Sequence, residues 1–123
     1  MEQGDWYETY EDLDELHDAV EANGGVMTVP AWVVRDAYGA ERLARHVRAN
    51  ITRELKGRGL GHYPVEIPDR QRRELRIYKF ASPAGALIEA VLSPGEAGDR
   101  LLRESVGSGA EATLTKIREL VCE

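Results

Sequence analysis

Breaks come so often along this chain that they decide what it can build. Asn23-Gly24-Gly25, Gly39, Gly57-Arg58-Gly59 and the prolines at 64 and 68 cut an otherwise steady apolar pattern into short pieces. Glycine supplies turn conformations that other residues avoid, and proline removes a backbone donor. In DLDELHDAVEA (12–22), Leu13, Leu16 and Val20 have helical spacing, and Asn23-Gly24-Gly25 stops that helix. Residues 26–29 form a strand-like link. Pro30 suits the first turn of a helix over 30–37, because its missing N–H would have no partner there, and Gly39 ends it. A longer helix is expected over 40–56. Two strand-like runs follow, 60–63 and 75–80, and Pro64 and Pro68 make the stretch between them a loop.

The C-terminal third predicts three short helices. Ser82-Pro83 starts one over 83–92. Ser93 with Glu96, and Ser108 with Glu111, fit the capping box, in which the two side chains satisfy each other's backbone N–H groups. The last helix, 109–122, sets Ala110, Leu114, Ile117 and Val121 at helical spacing. Such a stripe must be buried against the domain or against a second copy, the latter giving a homodimer through 109–122. The expected organisation is an acidic, flexible arm over 1–11, an α+β domain over 12–80 and a helical extension over 81–123.

With 123 residues, the chain is long enough for one compact domain with its own core. No apolar run approaches the roughly 20 residues that span a bilayer, so no membrane partner is expected. The N-terminus lacks the basic and apolar regions of a secretory signal, and the single Cys122 fits a reducing compartment. A cytoplasmic location is expected.

Charge is sorted by position. Residues 1–34 carry nine acids and no Lys or Arg, whereas residues 35–80 carry twelve Lys and Arg against six acids. The net charge of −6 therefore hides a basic central segment. Projected at about 100° per residue, the 40–56 helix gathers Leu43, Ala44, Val47, Ile51 and Leu55 on one side. Arg42, Arg45, His46, Arg53 and Lys56 lie opposite, with Ala49 and Thr52 among them and no acid. A solvated helix face ordinarily interleaves both signs. This one does not, which points to a polyanion or to an acidic protein partner. The intervening loop adds Arg70, Arg72 and Arg73, with Arg76 on the returning strand; these suit phosphates, although DRQRRE also reads as a polar loop. The acidic arm carries Trp6, Tyr7 and Tyr10, which suit a packing role, either over the basic helix or on a partner.

A short helix in VPAWVVRDAYG, a tight turn at Gly39, a longer basic helix and a two-stranded hairpin form an order that resembles the winged helix-turn-helix family. The stretch TVPAWVVRDAYGAERLARHVRANITRELKGRGLGHYP is similar to winged-helix segments of actinobacterial proteins. The resemblance spans about residues 12–80 and implies a helical core with a small β-hairpin wing. It implies duplex DNA as the partner, in transcriptional regulation or DNA architecture. The 40–56 helix would enter the major groove, and the wing would contact backbone or minor groove through Arg70, Arg72, Arg73 and Arg76. The acidic overall charge departs from that pattern.

The catalytic inventory is thin. His17, His46 and His62 fall on different elements without metal-ligand spacing, and no nucleophile or phosphate-binding motif is present. His62-Tyr63-Pro64, at a strand end, is the one place to look for a pocket. The chain reads as a non-enzyme that needs no cofactor.

Overall fold

The structure, a computed structural model, describes residues 7–106. It divides into two compact units, with the boundary in sequence between Ala86 and Leu87. Among the described residues the elements are α1 (Leu13–Ala22), β1 (Val26–Pro30), α2 (Ala31–Tyr38), α3 (Arg45–Gly57), β2 (Leu60–Tyr63), β3 (Glu74–Lys79), α4 (Pro83–Leu92) and α5 (Glu96–Ser105). This is an α+β architecture with a three-stranded antiparallel sheet, a layout compatible with the winged-helix expectation. The helix expected over 109–122 and its Ser108–Glu111 cap lie outside the described residues, as does Trp6. None of the described helices is long and apolar enough to cross a membrane.

The first unit follows its turn chemistry closely. Asp12 caps α1 by accepting the Glu15 N–H at 2.8 Å, which satisfies one of the donors left free at a helix start. At the other end the Asn23 side chain donates to the Ala19 carbonyl at 2.7 Å. Gly25 then takes a φ of +92° with its Cα against Ser82, a place that only glycine fills without strain. Gly39 ends α2 in the left-handed conformation.

The strands pair in the order β1-β3-β2. The expected hairpin gains a third strand, because the link over 26–30 pairs with β3 from Val26↔Tyr78 to Pro30↔Glu74. Alternation along β3 sends Leu75 and Ile77 to one face, with Met27, Val29, Leu60 and His62 beside them. The helices supply Leu13, Leu16 and Val20 from α1, Val33 and Val34 from α2, and Ile51 and Leu55 from α3 to the same core. Each such side chain, fully buried, contributes about 1.5–3 kcal/mol.

Two helix starts differ from the sequence expectation. The helix expected from Ala40 begins at Arg45, and residues 40–44 form a turn. No side chain caps the start of α3, and its first helical bond runs from the Arg48 N–H to the Ala44 carbonyl at 2.9 Å. Leu43 is buried in that turn, so its apolar spacing reflects core packing without helix. The capping box at Ser93 is not made. Ser93 Oγ donates back to Glu89 at 3.1 Å, and Gly95 occupies the cap position of α5 with no side-chain bond. Ser82 does start α4, accepting the Gly85 N–H at 2.9 Å.

In the second unit α4 ends and α5 approaches Ala90 at Gly98, where an added Cβ would lie 3.2 Å from the Ala90 carbonyl oxygen.

Truncating Ile51 to alanine is expected to cost about 2–5 kcal/mol. Gly85→Ala is expected to destabilise as well, since its Cβ would sit 1.8 Å from the Lys79 carbonyl oxygen. Denaturant unfolding of both variants measures these losses.

Candidate nucleic-acid interface

Burial of Ile51 and Leu55 turns one side of α3 to the core and leaves Arg45, His46, Ala49, Arg53 and Lys56 exposed on the other. These five share a face, as their spacing predicts. Arg42 is exposed too, but it sits in the turn before the helix. Thr52 is half-buried and committed elsewhere, 2.9 Å from His62 Nε2 on β2.

The twelve Lys and Arg of residues 35–80 fall into three groups. Arg58 pairs with Asp14 of α1 at 2.7 Å and with Glu54 at 2.8 Å, which pushes its pKa further up. Lys79 pairs with Glu21 of α1, and that hydrogen bond, then the ammonium charge, lowers the Glu21 pKa. Arg35 and Arg48 turn onto neutral acceptors. Arg35 donates to the Gln71 side chain, while Arg48 donates to the Leu43 carbonyl at 3.0 Å and the Ile67 carbonyl at 3.3 Å. The remaining eight, Arg42, Arg45, Arg53, Lys56, Arg70, Arg72, Arg73 and Arg76, are all exposed and have no carboxylate partner among the described residues. Arg53 shares a 2.9 Å bond with Asn50.

The loop between β2 and β3 is held by its own backbone. Its Gln71 and Arg73 carbonyls accept the Trp32 and Ala31 N–H groups at 3.0 and 2.8 Å, which completes the first turn of α2. The Arg48 bond to Ile67 ties the same loop to α3. Nothing in the local sequence marks Arg48 for this, since its partners lie 5 and 19 residues away. Arg70, Arg72 and Arg73 project from this anchored backbone and border a cleft beside α2. Arg76 is placed differently. It lies on the sheet face opposite Leu75 and Ile77, between Thr28 and the half-exposed Tyr63.

The described end of the arm, from Tyr7 onward, reaches the sheet. Tyr7 and Tyr10 pack against the core, and the Tyr7 hydroxyl donates to Glu74 at 2.9 Å, which raises its pKa. Ligand atoms of His17, Asp18 and Glu21 on the outer side of α1 come within 4.8 Å of one another, but Glu21 already holds Lys79.

His62 is 8% exposed. A carbonyl only accepts, so Nδ1 donates to the Pro64 oxygen at 2.7 Å, and Nε2 of the neutral ring accepts a hydrogen bond from the Thr52 hydroxyl. The residue thus joins α3 to the start of the loop. Burial lowers its pKa from the ordinary 6.5, opposed by the Pro64 bond.

With the folded pKa below the unfolded one, protons favour the unfolded chain as pH falls. The His62 contribution to stability is expected to be complete above about pH 6.5 and to fade below it. Unfolding free energies measured from neutral to mildly acidic pH should fall more steeply for the natural protein than for His62→Gln.

Compared with protein-family models, curated proteins and solved structures, the chain matches none. What this surface binds must therefore be read from its charge and geometry.

Proposed function

We propose that this protein binds duplex DNA as a winged helix-turn-helix module, acting in transcriptional regulation or DNA architecture. The observation that carries this reading is the set of eight exposed, unneutralised cations on α3, the turn before it, the loop and β3. Like charges so placed repel one another until an anion covers them, and a phosphate backbone supplies regularly spaced anions. Arg45, Arg53 and Lys56 on α3 and Arg42 beside it would take phosphates or base edges. Ala49 is the small exposed residue that lets the helix approach a major groove. The loop arginines would take backbone on the flank of the site. Because α1 neutralises Arg58 and Lys79, the unpaired cations of residues 35–80 are left on α3, the turn before it, the loop and β3.

Fluorescence anisotropy of a labelled random-sequence duplex at two salt concentrations tests the reading. With about five phosphates neutralised, affinity should fall roughly 10²–10³-fold between about 50 and 200 mM salt. Reversing two charges, Arg45→Glu with Lys56→Glu, should abolish binding while leaving the unfolding midpoint nearly unchanged, since both side chains are exposed. No binding at low salt would overturn duplex recognition and turn attention to an acidic protein partner.

A further inference from the structure

A cleft of about 1120 Å³ lies between the β2–β3 loop, the start of α2 and Tyr7. It is bordered by two aromatic side chains from distant segments, Tyr7 and Trp32, and by three consecutive-region arginines, Arg70, Arg72 and Arg73. Both rings are half-buried against the core while also lining the cleft. The Tyr7–Glu74 bond holds one aromatic at the rim, and the carbonyls of Gln71 and Arg73 hold the loop against α2 at Trp32 and Ala31. The wall is thereby assembled without using the three guanidinium groups.

We propose that this cleft binds a nucleotide unit, with its base against Trp32 and Tyr7 and its phosphate on Arg70, Arg72 and Arg73. The chemistry follows from the two kinds of group present. Aromatic rings accept any base by its flat face, and guanidinium forks match phosphate oxygens. Two carboxylates also line the cleft, Asp69 and Glu74. Glu74 is engaged by Tyr7, and the three cations outnumber the two acids. The volume exceeds that of an ordinary small-molecule pocket, roughly 300–1,000 Å³, and leaves room for more than one nucleotide. The same chemistry is offered by a free mononucleotide and by an unpaired base of a single strand. This site uses the loop and α2, whereas the duplex reading rests first on α3.

The test uses the full chain with Trp6→Phe, which leaves Trp32 as its one tryptophan. Its fluorescence is titrated with AMP, a short deoxyadenylate single strand, adenosine and ribose 5-phosphate. Saturable quenching by AMP or the strand is expected, with adenosine and ribose 5-phosphate each binding roughly tenfold or more weakly. Arg70→Ser with Arg73→Ser should weaken binding by a similar factor; both side chains are exposed, and the Arg73 bond to α2 is through the backbone. A strand that binds much more tightly than AMP identifies single-stranded nucleic acid as the source, and equal affinities identify the free nucleotide. The proposal is overturned by absent quenching, by ribose 5-phosphate or adenosine matching AMP, or by an unchanged affinity in the double serine variant. The Arg45→Glu, Lys56→Glu protein should keep its nucleotide binding, so failure here and failure of duplex recognition are separate results.

Discussion

Ile51 and Leu55 are fully buried, and their burial determines the direction of every other side chain on α3. Two apolar residues one turn apart cannot both reach the core unless that edge of the helix lies against the sheet. Arg45, His46, Arg53 and Lys56 are then left facing outward together. The energies explain why the crowding is tolerated. Each buried aliphatic side chain contributes about 1.5–3 kcal/mol, whereas two unit charges 4 Å apart in water repel by only about 1 kcal/mol. Core packing therefore wins, and the basic face persists as an unrelieved surface field.

Two acids of α1 could have relieved it, and the fold sends them elsewhere. Asp14 and Glu21 of α1 reach Arg58 and Lys79, and the Tyr7 hydroxyl bonds Glu74 at the end of the sheet. Exposed ion pairs of this kind add at most about 1 kcal/mol each to stability. Their larger effect is on the potential. They cancel positive charge at Arg58 and Lys79 and leave it on α3, the loop and β3.

Much of this was legible in the residues, because the signals were local. Leu13, Leu16 and Val20 outline α1, Gly39 ends α2, and the 3.6-residue spacing of α3 separates its two faces. What was not legible depends on contacts between distant segments. Residues 26–29 read as strand-like, yet only their pairing with β3 makes a third strand. Leu43 continued the apolar period backward past Arg45, and a period cannot say whether a residue is buried by a helix or by a turn. Ser93 offered a cap four positions from a competing carboxylate, Glu89, and took that partner instead. On a helical wheel Thr52 falls among the basic residues and Arg48 beside Leu55, but both are claimed by the β2–β3 segment, through His62 and Ile67. The cleft is the extreme case, since its two aromatics are 25 residues apart and its arginines lie nearly 40 further on.

The β2–β3 loop divides its labour between backbone and side chains. Its carbonyls at Ile67, Gln71 and Arg73 are structural parts of α3 and α2, so its length and path belong to the scaffold. Its arginine side chains bear none of that duty. Insertions or deletions here would unseat two helices, whereas exchange of the side chains leaves the frame standing. A lineage carrying this fold could thus change what the loop touches, residue by residue, without renegotiating how the domain folds.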